Sequence, residues 1–433
     1  MFVSESLTVN PDDHLVIGGC DCVELAKIYG TPLYIMDEEL IRKNCRAFKN
    51  SLDKFYDGNG LVLYASKAFC SLFACKIAEQ EGLGLDVVSG GELFTALKAG
   101  FPTERIYFHG NNKTIEEIEM ALDNSVGRIV VDNVEELERI NLFAEKRNIT
   151  AEVSFRIKPG IEAHTHEFIK TGQIDSKFGF ALETGEAIEI IKKATEFKNI
   201  NITGLHCHIG SQIFDVNPFV EAAEVMMNFI FEIKEKFGII IKELNLGGGF
   251  GIKYTCEQKH EDYENFLEAV AKKIKDIAVG KEISIPRILI EPGRSIVGAA
   301  GITLYTVGTV KDIPGIRKYV AIDGGMTDNP RYILYQSQYE AVCANKASEP
   351  KIEKVTIAGK CCESGDLIGK DIDLQSVVAG DLVAVMSTGA YNYSMSSNYN
   401  RIPRPAVVMV SKGTHKLIVK RETYEDIIRN DIV

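Results

Sequence analysis

The chain has no apolar run approaching the roughly 18 residues a bilayer-spanning helix requires, so no membrane span is expected. Its opening, MFVSESLTVNPDD, lacks the basic start and apolar stretch of a secretion signal, and none is expected. It also lacks an excess of positive charge: 49 Lys and Arg stand against 61 Asp and Glu, a net charge of −12 at pH 7. Phosphate-rich partners do not attract such a surface, so neither nucleic acid nor an anionic membrane is expected as the main partner. No long block of one sign marks an interaction tail. Among ten cysteines, the spacings Cys20–Cys22, Cys70–Cys75 and Cys361–Cys362 give no repeated CxxC pair. That disfavours a zinc site or a disulfide framework and fits free thiols in a reducing compartment. The expected class is a soluble, cytoplasmic globular protein, and 433 residues argue for more than one domain.

What the chain does have is alternation. LYIM (33–36) is followed by DEELIRKNCRAFKNSLDKF, whose Leu40, Ile41, Phe48, Leu52 and Phe55 share one helical face. LVLYAS (61–66), GLDVV (84–88), RIYF (105–108) and RIVV (128–131) come next. AEVSFRI (151–157), NITGLHC (201–207), IKELNL (241–246) and RILI (287–290) continue the series. Most precede a helix-patterned stretch. One such helix opens near Ser89, and another has a capping box of Thr114 and Glu117. Eight strand–helix units in about 230 residues point to a parallel (β/α)8 TIM barrel; an open doubly wound sheet is the rival.

After about residue 292 the texture changes to short β-rich runs between Gly, Pro and Asp turns: ITLYTVGTV, KYVAID, EKVTIAG, DLVAVM and RPAVVMV. These read as a second, mostly antiparallel β domain, to which the first thirty residues may contribute strands. The expected organisation is a barrel over 36–292 and a β domain from 1–35 plus 293–433.

Functional groups of such barrels sit at the C-terminal ends of the strands, with phosphates often bound after strands seven and eight. GGGFG (247–251) follows the seventh strand and EPGR (291–294) the eighth. Glycines there let backbone N–H groups approach a phosphate, although GGGFG is a poor dinucleotide fingerprint and a glycine run is often only a turn. Lys67 stands just past a buried strand, either turned to solvent or held in a cavity as a covalent nucleophile. In HCHIGSQ (206–212), His206 and His208 lie two apart and face one side of a strand. No third metal ligand has suitable spacing nearby, so no metal is expected. The histidines are core residues, or one offers a flat ring for stacking.

Taken together, YASKA (64–68), DVVSGGEL (86–93), GNNK (110–113), SKFGF (176–180), HIGSQ, GGGFG, EPGR, DNPR (328–331), CESGD (362–366) and GAY (389–391) resemble the fold-type III pyridoxal-phosphate decarboxylases, with an alanine-racemase-like barrel. Within that family the chain is most similar to the diaminopimelate decarboxylases, and the resemblance runs over nearly its whole length. It implies that Lys67 holds pyridoxal 5′-phosphate covalently and that His208 stacks on its ring. Ser211, Gly248, Gly249 and the Gly293–Arg294 backbone take the phosphate. Glu291 pairs with the ring nitrogen, where a carboxylate keeps the ring protonated and a strong electron sink. Alanine racemases place an arginine there, which argues against that reaction.

The resemblance further implies that Cys362 is the proton donor, supplied by the neighbouring subunit of a homodimer. Cys361 also carries a thiol, and only the motif register favours Cys362. Arg294 and Arg331 match carboxylate-binding positions, and arginine is suited to a two-point grip on a carboxylate. Tyr335 shares a face with Arg331 if the segment is helical. Glu363 matches the residue taking the distal ammonium, and Tyr391 reaches cofactor and substrate. The expected reaction is decarboxylation of meso-diaminopimelate to L-lysine. Alternatives are a decarboxylase of ornithine, lysine or a carboxylated polyamine, and a relative that binds the cofactor without activity. Asp86 and Arg156, also at strand ends, are candidates for orienting the lysine or the ring. Phe69 and the paired cysteines are small departures from the family pattern.

Overall fold

The computed structural model describes residues 2–161, 175–258 and 262–433. It divides into two compact units: Cys45–Gly251 with His260–Gly293, and Met1–Asn44 with Ile252–Lys259 and Arg294–Val433. The sequence reading drew its lines at 36 and 292.

The first unit is a closed barrel of eight parallel strands: Gly60–Ala65, Gly84–Val87, Ile106–Phe108, Arg128–Val131, Ala151–Lys158, Ile200–His206, Glu243–Asn245 and Arg287–Ile290. All eight runs recognised in the sequence are these strands. Closure comes where Ile288 pairs with Gly60 and Leu289 with Leu61, so the last strand hydrogen-bonds to the first. This rules out the open sheet. A two-residue strand, Phe180–Ala181, adds onto the end of Ala151–Lys158.

Helix starts follow local chemistry. Ser89 accepts from the Glu92 N–H to open Gly90–Lys98, and Thr114 and Glu117 form a reciprocal capping box on Ile115–Asp123. On the helix Glu38–Phe55, the predicted face holds: Leu40, Ile41, Phe48 and Leu52 are buried and Phe55 is half-buried.

The barrel is filled, not hollow. Leu61, Leu63, Tyr107 and Leu289 form an apolar layer inside it. Beside that layer Arg128 makes a two-point contact with buried Glu243, both bonds 3.0 Å, and Tyr107 donates to the same carboxylate at 3.1 Å. Lys113, from GNNK, pairs with Glu136 at 2.8 Å with both side chains buried, and also donates to the Gly110 and Val130 carbonyls. The last residue of that motif is therefore structural.

The second unit is built on the long strand Gly301–Ile313. One half pairs with Leu33–Asp37 and Leu382–Val385, and the other with Arg317–Ile322. Glu353–Ala358, Leu367–Leu374, Ala341–Cys343, Ala406–Ser411 and Thr414–Val419 complete the sheet. It is mostly antiparallel; Leu33–Asp37 runs parallel to Ala406–Ser411, and Arg317–Ile322 to Glu353–Ala358. Within the first thirty residues, Leu7–Val9, Leu15–Ile17 and Cys20–Asp21 form a small sheet of their own, and it is Leu33–Asp37 that joins the large one. Among the described residues no helix is long and apolar enough to cross a membrane.

Candidate active site

Polar residues gather at the C-terminal ends of the barrel strands. Lys67 lies in the single turn Ser66–Ala68 after the first strand, and Asp86 is in the second. His109 follows the third, Arg156 is in the fifth, and His206 and Asn245 end the sixth and seventh. Glu291 follows the eighth. Burying so many polar groups is costly unless they satisfy one another.

They do so in two connected sets. Lys67 Nζ lies 3.0 Å from Asp86 Oδ2, and Asp86 is fully buried. The turn carrying Lys67 is fixed by Ser66, whose hydroxyl lies 2.8 Å from the Asp86 carbonyl and 2.9 Å from Glu92 Oε2. Glu92 also accepts the Val88 N–H at 2.8 Å. The opening ambiguity over Lys67 is resolved in one respect: its amine meets a buried carboxylate.

The second set surrounds Glu291. Asn245 Nδ2 donates to Oε1 at 2.6 Å, His206 Nε2 lies 3.3 Å from Oε2, and His109 Nε2 lies 2.9 Å from Oε1. The two imidazoles meet edge to face, 4.7 Å between centroids. Burial alone would raise the Glu291 carboxyl, but the two histidines outweigh it and hold it well below the usual range. Burial pushes His206 down to about 4 despite Glu291, so its ring is neutral at pH 7. Its Nδ1 has no hydrogen-bond partner among the described residues, which leaves Nε2 as the protonated donor to Glu291.

Two expectations about this region change. His206 does have potential co-ligands: its donor atom and those of His109 and Glu291 lie within 4.8 Å of one another. Strand-to-strand contacts bring them together from positions that no sequence spacing connects. And the strand ends at His206, so the alternation rule does not extend to His208. His208 is half-buried and accepts the Gly248 N–H on Nδ1 at 3.3 Å; burial, then Lys67 and Arg156, keep it neutral.

The glycine run is packed against its neighbours. A Cβ on Gly248 would stand 2.1 Å from the Glu291 carbonyl oxygen, and Gly249 has φ +114 with the Gly210 carbonyl 2.6 Å from any Cβ. Only glycine fits either position. The loop is tied to the residue just after HIGSQ by Ile213 N–H to Gly249 O and Gly251 N–H to Ile213 O, and Phe250 is stacked on Phe219 at 4.9 Å. Ser211 is half-buried on the facing loop, and Gly293 packs on Ala65. In SKFGF, Phe178 lies under the Arg156 guanidinium at 4.0 Å and the Gly179 N–H reaches Asp132 at 3.0 Å.

Pyridoxal phosphate requires an amine for its aldehyde, a flat partner for its ring, an acid partner for its nitrogen and close-packed N–H groups for its phosphate. The barrel offers all four in Lys67, neutral His208, ionised Glu291 and the Gly247–Gly249 run. Asp86 Oδ1 is a further buried oxygen with no hydrogen-bond partner among the described residues. The residues fit the group.

The sheet unit carries a different set. Arg294 and Arg331 are both buried; Arg294 donates to the Tyr254 hydroxyl, and the Arg331 guanidinium lies 6.0 Å from the Tyr254 ring. Burial alone would raise that phenol, but the two guanidiniums outweigh it and lower its pKa. Arg294 lies 4.7 Å from the Tyr391 ring, and Arg331 lies 5.1 Å from Tyr335 and 5.7 Å from Tyr391. The short helix Arg331–Tyr335 accounts for the shared face of its two ends. No carboxylate among the described residues pairs with Arg331. Tyr391 sits at φ 63, a costly conformation for a non-glycine residue and one typical of functional sites. Cys361, just before CESGD, is buried, while Cys362 and Glu363 within it are exposed. Asp366 holds the turn by accepting the Cys361 N–H at 2.7 Å and the Met326 N–H at 2.6 Å.

Sequence reasoning missed His109, Asn245 and Tyr254. Each sits at or beyond the end of a recognised strand, and that position was the only available signal.

Comparison with known proteins agrees with this chemistry. Residues 38–298 match the family "Pyridoxal-dependent decarboxylase, pyridoxal binding domain". A diaminopimelate decarboxylase of Bacillus subtilis is 52% identical over 100% of this chain and 98% of its own length. Crystal structures of the diaminopimelate decarboxylase from M. jannaschii superpose with TM-scores of 0.93 and, in complex with L-lysine, 0.92; they are 38% and 39% identical and cover 100% of this chain and 99% of theirs. Sequence, fold and the barrel's polar groups converge, and the chain belongs to the diaminopimelate decarboxylases, within the pyridoxal-dependent decarboxylase family.

Proposed function

We propose that this chain removes carbon dioxide from meso-diaminopimelate to give L-lysine, the last step of lysine biosynthesis, using pyridoxal phosphate. The observation that carries the substrate is Arg331. It is a buried guanidinium without a carboxylate partner among the described residues, ringed by tyrosines and next to a second arginine on Tyr254. Such a group is costly to keep unless a ligand carboxylate meets it. Ornithine, lysine and the carboxylated polyamines carry only the carboxylate that leaves, offer no distal one, and would leave it without a use.

Pyridoxal phosphate, when bound, supplies an electron sink for the pair left by departing carbon dioxide. Lys67 would hold it through Nζ, with Asp86 orienting the amine. Ser211, Gly248, Gly249, Gly293 and the Arg294 backbone would take its phosphate, His208 would lie against its ring, and Glu291 would partner its nitrogen. Arg294, Arg331, Tyr335 and Tyr391 bind the substrate's carboxylates, and Glu363 takes its distal ammonium. Cys362 gives a proton to the carbon that has lost carbon dioxide. Its exposure supports this role over Cys361, whose thiol is pushed up to about 12 by burial and then by Asp366. We further propose a homodimer in which Cys362 and Glu363 serve the neighbouring copy, consistent with their exposure in a single chain. A cytoplasmic location is in keeping with ten free thiols.

The test is carbon dioxide release from meso-diaminopimelate by cofactor-loaded wild type and Lys67→Ala, with ornithine and lysine alongside. Release by the wild type alone, with L-lysine as product, is expected. A loaded protein preferring ornithine would overturn the substrate, and an active Lys67→Ala the chemistry.

A further inference from the structure

His109 and His206 are buried, titratable, and unused by the roles just assigned. His109 is 4% exposed and lies between two carboxylates. Its Nε2 is 2.9 Å from Glu291 Oε1 and 3.8 Å from Asp86 Oδ1. The other oxygen of Asp86 meets Lys67, and the other oxygen of Glu291 meets His206. One imidazole thus links the carboxylate beside the lysine to the carboxylate assigned to the ring nitrogen. The link is not saturated. The short approach to Glu291 is off the line a good hydrogen bond needs, and neither His109 Nε2 nor Asp86 Oδ1 has a hydrogen-bond partner among the described residues. A ring movement of less than an ångström would share the same N–H differently between the two oxygens.

We propose that His109 is a positioning residue that couples Asp86 to Glu291, so that the proton balance at the lysine end of the cofactor responds to the proton balance at its ring-nitrogen end. His206 and Asn245 fix Glu291 from its other sides and leave His109 as the adjustable contact. The inference rests on the proposed cofactor site, but not on the identity of the substrate. The charged groups around this contact are Lys67, Asp86, Glu291 and Arg156, with His206 and His208 neutral. Among the basic side chains of the described residues, His109 alone comes within 4 Å of both carboxylates. Without that N–H 3.8 Å away, Asp86 Oδ1 has no donor poised to compete, and Asp86 stabilises positive charge on the Lys67 nitrogen more strongly.

The experiment is a pH titration of the cofactor's visible absorbance in holoenzyme without substrate, for wild type, H109L, H109Q, E291Q and H109L/E291Q. H109L is expected to raise the midpoint by about one pH unit, the size of effect a single close partner exerts. H109Q, which keeps a donor, should restore at least half of that shift. E291Q should move the midpoint in the wild-type background and much less in H109L. With meso-diaminopimelate, H109L should lower kcat about ten-fold or more while KM stays within three-fold. If H109L does not load the cofactor, H109M, which also lacks a donor, takes its place with the same expectation. A midpoint within 0.2 of wild type in the donor-less variant, or an equal E291Q effect in both backgrounds, overturns the coupling. A wild-type chain that binds no pyridoxal phosphate would overturn the proposed function along with it, whereas inactivity on diaminopimelate with a normal titration would overturn the substrate alone.

Discussion

Replacing Arg331 with methionine should separate folding from binding. The side chain is 6% exposed, and its partners are one hydroxyl and three rings: Ser337 Oγ at 3.2 Å, and the rings of Tyr335, Tyr391 and Tyr254 at 5.1, 5.7 and 6.0 Å. Methionine keeps much of the stem and removes the charge. On the folding side, the lost ring contacts contribute about 1–2 kcal/mol and the lost hydrogen bond to Ser337 about 1 kcal/mol. Against that, a buried charge without an opposite charge costs several kcal/mol. The terms nearly cancel, so the apoprotein should stay within about 1 kcal/mol of wild type or gain stability. On the binding side, each hydrogen bond to a charged group contributes about 1.5–3 kcal/mol, so losing a two-point grip removes about 3–6 kcal/mol. At about 1.4 kcal/mol per decade, kcat/KM for meso-diaminopimelate should fall by about a hundred-fold to a thousand-fold or more. Urea unfolding of the apoprotein and steady-state carbon dioxide release measure the two sides. A stability loss above about 3 kcal/mol would show that Arg331 is structural, and a fall of less than about ten-fold in kcat/KM would show that it does not hold the substrate.

Three other outcomes are expected. Acid should weaken the apo-barrel: His206 is lowered from 6.5 to about 4, so its contribution is present above pH 6.5 and lost as pH falls through about 4. That gap corresponds to about 3 kcal/mol at about 1.4 kcal/mol per pH unit, and Glu291, also lowered, acts in the same direction. Melting temperatures of wild type and His206→Gln between pH 7.5 and 4.5 check it, the variant showing the shallower slope. Cys362→Ser should cut kcat by about a hundred-fold or more, within the range for a lost acid, while Cys361→Ser should leave it within a few-fold; equal losses would contradict the assignment. Lys113→Met should destabilise by about 3–5 kcal/mol by stranding buried Glu136. Burial already raises Glu136 to about 6 against the pull of Lys113, so the loss should be larger at pH 8 than at pH 5.

The barrel was legible because each strand is a short run with an apolar core closed by a turn, such as RIVV or RILI, and parallel strands covered on both faces favour that pattern. The strands missed in the second unit fail it. Leu367–Leu374 shows one buried and one charged face interrupted by Gly369, and Thr414–Val419 is largely exposed, so neither has an apolar signature. Lys67, Glu291 and the glycine run could be found because a reactive type stood at a strand end or in a motif. His109 could not. Its role depends on Asp86 and Glu291, which are 23 residues before it and 182 after it, and only barrel closure brings them together. Tyr254 is similar: nothing in its neighbourhood indicates that two arginines converge on it from positions 294 and 331.

The barrel's two ends differ in how firmly they are held. Inside it, Arg128, Glu243 and Tyr107 satisfy one another above an apolar layer, whereas at the strand ends Asp86 Oδ1 and His206 Nδ1 remain without hydrogen-bond partners among the described residues. The cost of a local opening should therefore change along each single strand. In Ala151–Lys158, amide protons near Ala151 should exchange with solvent only on deep unfolding, while those near Arg156 exchange through shallow excursions. A molecule that meets the unsatisfied groups removes the reason for those excursions, so occupying the mouth should slow exchange at one end of the barrel and leave the other as it was.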